Sequence, residues 1–138
     1  MAWTVRIERP PEEVFDYVAD LEHQPEWVTE VSSVVRTTSG EIGVDTTWKE
    51  PAIQGVKTID HYERPHEVSF QGSSHLMVDR AHFSFVPVGD GATEVSAVEE
   101  WRSTTRVGRL SVLLAGFWLR RKIQSDRGPR LKEAIERT

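Results

Sequence analysis

The sequence predicts an α+β domain in which one antiparallel sheet of about seven strands packs against helices. Three patterns point to it. After a short first strand, Val14, Phe15, Val18 and Leu21 form an apolar stripe at helical spacing. Alternating segments follow near residues 30–38, 45–50, 56–63, 67–72, 75–87 and 93–103, separated by turn residues. Last, Leu110, Leu113, Leu114, Phe117 and Trp118 recur at helical spacing in one long final segment. At 138 residues, the chain 1–138 fits a single domain with no room for a second.

The elements can be justified in order. Residues 1–6 run straight into strand alternation, with no basic start and apolar core of a signal peptide. Pro11 suits the first helical position, where its missing N–H costs nothing, and Glu12 and Glu13 favour the positive end of the helix dipole. A tight break follows between Asp20 and Trp27, so two short helices are expected after the first strand. In the final segment, Gly128-Pro129 is expected to kink or split the helix.

Hairpin registers follow from asking which loop length collects apolar residues on one face. A three-residue loop at Gly89-Asp90-Gly91, with Gly91 left-handed, sets Phe85 opposite Val95, Phe83 opposite Ala97, Ala81 opposite Glu99 and Asp79 opposite Trp101. A two-residue loop at Ser73-Ser74 sets Phe70 opposite Met77 and Val68 opposite Asp79. A turn at Arg64-Pro65 sets Ile59 opposite Phe70 and His61 opposite Val68. His61, Val68, Asp79 and Trp101 would then form one row across four strands.

Several segments carry a family likeness. They are Arg9-Pro10-Pro11-Glu12-Glu13-Val14-Phe15, the spaced Asp20, Pro25 and Trp27, Gly43-Val44-Asp45-Thr46-Thr47-Trp48, Tyr62-Glu63-Arg64-Pro65, Phe83-Ser84-Phe85-Val86-Pro87 and Asp90-Gly91-Ala92-Thr93-Glu94-Val95. Together they resemble the START-like, or SRPBCC, helix-grip superfamily, and more narrowly its polyketide cyclase/dehydrase and lipid transport branch. The resemblance implies a curved antiparallel sheet wrapped around a long C-terminal helix, with a cavity between them. Family members usually carry a second glycine where Asp45 stands; Asp tolerates a left-handed backbone less well than Gly but better than most residues, so the strand start is expected to be shaped differently here.

Composition narrows the function classes. The absence of cysteine excludes disulfides and thiolate metal sites and agrees with a cytoplasmic location. No run of 18 apolar residues occurs. The net charge is −5, yet residues 102–138 hold ten Arg or Lys against three Asp or Glu. That asymmetry describes either the solvated face of a helix or a surface that meets a membrane or a partner. Nucleic acid is not an expected partner, because the basic residues are not interleaved with exposed aromatics.

The predicted inner face combines Trp48, Ile59, Phe70, Met77, Phe83, Phe85, Ala97 and Trp101 from the sheet with Leu114 and Phe117 from the final helix. Such a surface is either a filled core or the wall of a small-molecule pocket, and the resemblance favours the pocket. Asp79, Glu99 and His61 interrupt it and are the candidate catalytic residues. Asp79 and Glu99 sit diagonally on neighbouring strands, where mutual repulsion and burial raise at least one carboxyl pKa. His61, two strands away, is a candidate donor or base. His75 and His82 lie seven apart on one strand and face opposite sides, which argues against a shared metal; no metal or other cofactor is expected.

The leading expectation is a binder of a lipid, aromatic polyketide or isoprenoid type of hydrophobic molecule, acting as monomer or homodimer. Burying roughly 400 Å² of apolar surface at about 25 cal/mol per Å² gives on the order of 10 kcal/mol before association costs, enough for micromolar affinity. The alternatives are a cofactor-independent polyketide cyclase/dehydratase using the acid-base residues, and a membrane or partner interaction protein using the basic segment.

Overall fold

The computed structural model describes residues 1–103, 121 and 125–138. Seven antiparallel strands form one sheet in the order β1-β7-β6-β5-β4-β3-β2. The strands are β1 (Ala2–Ile7), β2 (Val35–Arg36), β3 (Thr47–Glu50), β4 (Gly55–Glu63), β5 (Glu67–Ser73), β6 (Met77–Val88) and β7 (Ala92–Ser103). A helix α1 (Pro11–Ala19) and a 3₁₀ segment Leu21–Glu26 follow β1, and helical residues 125–136 belong to the C-terminal helix. This is the helix-grip arrangement expected from the sequence. The residues 110–118 expected to form the apolar face of the final helix, Leu114 and Phe117 among them, lie outside the described residues.

Helix α1 starts as its sequence dictates, with Pro11 in the first turn and Glu12 and Glu13 beside it. Its apolar stripe buries Val14, Phe15 and Val18 against the sheet, where Phe15 meets Tyr62 and Phe85 edge-on at 5.2 Å each. Asp20 ends α1 and caps the next segment, its carboxylate accepting the Glu22 N–H at 3.1 Å. The 3₁₀ turn contains Pro25 and delivers Trp27 into the core, 2 % exposed. Trp27, Trp3 and Phe83 meet edge-to-face with centroids 6.1–6.3 Å apart.

The β6–β7 register is as expected: Phe85 faces Val95, Phe83 faces Ala97, Ala81 faces Glu99 and Asp79 faces Trp101. The loop has the expected length, but the left-handed residue is Gly89 (φ 61°), at its start, rather than Gly91. Asp45 adopts the left-handed conformation that a glycine would take there, at φ 73°, so the expected change of backbone on replacing Gly by Asp has not occurred.

Two hairpins differ from expectation. Between β5 and β6, Phe70 faces Ala81 and Val68 faces Phe83, four residues from the predicted partners Met77 and Asp79. The Ser74 hydroxyl accepts the N–H groups of Leu76 and Met77, each at 3.1 Å, which stabilises a wider turn than Ser73-Ser74 alone. An even shift preserves the face, so the same residues still point inward. Between β4 and β5, Ile59 faces Phe70 as expected, but a bulge at Asp60 pairs His61 with Ser69 and Tyr62 with Val68. Asp60 and His61 both turn outward and Tyr62 takes the inward place. The predicted row through His61 therefore does not form. The strand expected at 30–38 is reduced to Val35–Arg36.

The helical residues 125–136 continue through Gly128-Pro129 without a break. Leu131, Ala134 and Ile135 form their buried face. A Cβ on Gly128 would stand 3.1 Å from Val5 Cβ, so the glycine allows the helix to lie directly on β1.

Candidate functional site

A cavity of about 250 Å³ lies between the inner face of the sheet and the segment 18–31. Phe70, Met77, Ala81, Phe83 and Trp101 line it from β5, β6 and β7. Leu21, Trp27, Val28 and Val31 close the opposite side. Four of the predicted wall residues, Phe70, Met77, Phe83 and Trp101, thus border the space. Trp48, Ile59, Phe85 and Ala97 are instead packed into the core, each at most 2 % exposed, and belong to its foundation. Trp48 packs behind the cavity wall against Phe70, whose ring stands edge-on at 6.2 Å.

The polar end of the cavity was only half visible in the sequence. Asp79 and Glu99 are both there, as expected from the β6–β7 register. They are joined by Lys57, Glu50, Gln24 and Arg127. Lys57 Nζ lies 3.0 Å from Glu50 and donates to Gln24 Oε1 at 2.8 Å, tying β3 and β4 to the 3₁₀ turn. Arg127 lies 3.5 Å from Glu99 and 3.3 Å from Glu30, and the Trp3 indole N–H donates to Glu99 Oε2 at 2.8 Å. Glu99 is therefore held in a structured network. Two of the missed residues follow from simple alternation. Lys57 stands two before inward Ile59, and Glu50 two after inward Trp48, so period two places both inside.

Asp79 differs from its neighbours. Among the described residues, no hydrogen bond or ion pair reaches its carboxylate. Lys57, Glu50, Glu99 and Arg127 surround it at longer range, and burial is the main reason that its pKa lies above the usual aspartate value. Glu50 and Glu99 raise it further, while Lys57 and Arg127 pull the other way. The carboxylate lies over Gly72 on β5, where a Cβ would come within 2.2 Å of Oδ1. Only glycine leaves that position open.

His61 is outside this site. Its side chain is 48 % exposed on the outer face of the sheet, beside Glu63 and Glu67. The Asp60 bulge placed it there, and alternation alone could not have shown it.

The family model described as polyketide cyclase / dehydrase and lipid transport matches residues 2–136. The chain belongs to this family. None of the curated proteins matches it. Among solved structures, it is similar to a START superfamily protein from Mycobacterium smegmatis at 18% identity and TM-score 0.70, covering 99% of this chain and 97% of that one. A protein from Thermus thermophilus matches at 18% identity and TM-score 0.72, covering 98% and 95%. A hypothetical protein from Helicobacter pylori reaches TM-score 0.71 at only 5% identity, covering 97% and 83%. These similarities establish the START-like fold of this family member. One fold hosts many activities, so the reading of function rests on the cavity.

The described cations of the basic C-terminal segment are partly engaged within the chain. Arg127 points into the site, Lys132 contacts Glu136 at 2.6 Å and the Arg6 carbonyl at 3.1 Å, and Arg137 pairs weakly with Glu133. Among the described residues, no helix is long and apolar enough to cross a membrane.

Proposed function

We propose that this family member binds a small, neutral, largely aromatic molecule whose single polar group meets Asp79. The observation that carries this reading is a carboxyl group, unpartnered among the described residues, at the polar end of an otherwise apolar cavity. A buried polar group gains free energy when a ligand supplies the missing hydrogen bond, and a carboxyl with a raised pKa can either donate to a carbonyl or accept from a hydroxyl.

Size and charge narrow the ligand class. The volume of about 250 Å³ falls just below the usual range of roughly 300–1,000 Å³ for small-molecule sites, which favours one or two fused rings over a large polycycle or a full-length lipid. Among the described residues, five carboxyl groups, Glu30, Glu50, Asp79, Glu99 and Glu100, and three cations, Lys57, Arg80 and Arg127, line the cavity. All three cations already have carboxylate partners. A fatty-acid headgroup would therefore meet like charge, whereas a phenol or ketone would not.

The test is a titration read by tryptophan quenching, since Trp27 and Trp101 both line the cavity. A naphthol should quench saturably at micromolar concentration and a fatty acid of equal carbon number should bind more weakly. Ala81→Leu, which fills the space between Phe70 and Glu99, should abolish quenching. A naphthol that fails to quench, or quenching unchanged by Ala81→Leu, would remove this assignment.

A second reading, a cyclase/dehydratase-type enzyme without a cofactor, is favoured by the same carboxyl group. Protonated Asp79 would deliver a proton to a carbonyl or departing hydroxyl, with Glu99 on the neighbouring strand accepting one. Full turnover of a cyclising polyketide substrate by both Asp79→Asn and Glu99→Gln would exclude this acid-base version.

A further inference from the structure

The outer face of the sheet, on the side away from the cavity, carries a second polar constellation. The Asp60 bulge turns His61 outward beside Ser69 on β5, which pairs on its other side with His82 on β6. One step along the same face, Glu63 and Glu67 stand directly opposite each other across the β4–β5 hairpin. Like charges in that relation destabilise a sheet unless something offsets them. Among the described residues, neither glutamate pairs with Arg or Lys, because Arg64 in the same turn is committed to Asp16 by two hydrogen bonds of 2.8 Å. Their ionic neighbours are the two histidines, His61 Nε2 at 3.3 Å from Glu67 and 3.7 Å from Glu63, and His82 Nε2 at 3.8 Å from Glu67.

We propose that His61, Glu63, Glu67 and His82 form a binding site for a divalent transition metal of the zinc class. His61, Glu63 and Glu67 offer three ligand atoms within 4.8 Å of one another. Tetrahedral zinc with bonds of about 2.0–2.2 Å sets ligand atoms about 3.3–3.5 Å apart, so these side chains need only small rotations to close around an ion. The two imidazole rings lie 6.4 Å apart between centroids, and His82 supplies the fourth corner by a modest movement toward Glu67. Ser69, 8 % exposed, contacts His82 Nδ1 and orients the ring with Nε2 toward Glu67. Such an outer partner is what a metal-binding histidine requires. Imidazole and carboxylate donors together suit Zn²⁺, Ni²⁺ or Cu²⁺ rather than Mg²⁺ or Ca²⁺. A bound ion would bridge β4, β5 and β6 and neutralise the opposed glutamates. The site is independent of the cavity and of any ligand there.

Chelator-treated protein titrated with Zn²⁺ alone by calorimetry at about pH 7.5 should bind one equivalent and gain thermal stability in proportion to occupancy. His61→Ala and Glu67→Gln should each weaken binding at least about tenfold without lowering the metal-free melt, which Glu67→Gln should hold or raise by removing the like-charge pair, and His75→Ala, in the turn at the opposite end of β5, should not affect binding. In the wild type, Zn²⁺ should shift the imidazole NMR signals of His61 and His82 and spare His75, a readout that needs no variant. No saturable binding up to about 100 micromolar metal, or signals of His61 and His82 unmoved at saturation, would overturn the proposal.

Discussion

The Asp79 carboxylate lies directly over Gly72, so that a Cβ at that glycine would come within 2.2 Å of Oδ1. The space that a side chain on β5 would fill is thus taken by a carboxyl group from β6. Gly72→Ala should push Asp79 from its place and cost about 1–3 kcal/mol, the range expected of an overpacked interior. The penalty should largely vanish in an Asp79→Ala background, and a double-mutant cycle by urea denaturation measures that coupling. Equal penalties in both backgrounds would show that the two residues do not compete for the same space.

Burial gives Asp79 a pH signature. A carboxyl whose folded pKa exceeds its unfolded one takes up a proton on folding between those two values. Its contribution is fully present below the unfolded pKa and is lost as pH rises through the folded pKa. Relative to the wild type, Asp79→Asn should therefore gain melting temperature as the pH is raised from the ordinary aspartate range toward neutrality. Parallel thermal melts across that interval test the sign, and a difference independent of pH would mean that Asp79 titrates normally.

Phe83 stands at the junction of wall and core, edge-on to Trp3, Trp27 and Phe70 at 6.0–6.3 Å. Its truncation to Ala should cost about 3–5 kcal/mol in chemical denaturation. A variant meant to probe binding must therefore spare it. Ala81→Leu, pointing into existing space, should leave stability within about 1.5 kcal/mol of the wild type while blocking the cavity.

Asp45 holds a left-handed backbone at φ 73°. Asp45→Gly should be stabilising by up to about 1 kcal/mol, and Asp45→Val should destabilise by about 1–2 kcal/mol, because a branched side chain clashes in that conformation. Equilibrium unfolding of the two variants checks the order.

The sequence by itself determined the class of fold, the strand order along the chain, the start of α1 and the β6–β7 register. Each depends on a local or near-local rule: Pro11 at a helix start, period two along a strand, a three-residue loop closing on Gly89-Asp90-Gly91. It also put Asp79 and Glu99 on one face, because that register leaves no other choice. Tertiary structure decided what these rules cannot express. The Asp60 bulge adds one unpaired residue to β4 and sends His61 to the opposite face from the one alternation implies. Ser74 widens a turn through its hydroxyl and shifts a register by four while preserving the inner face. Lys57 and Arg127 reach the polar end of the cavity from separate elements and find carboxylate partners there, whereas Asp79 stays unpartnered among the described residues. Pattern assigns a residue to a face, but burial, partners and pKa depend on groups distant in the chain, and these fix the chemistry of the site.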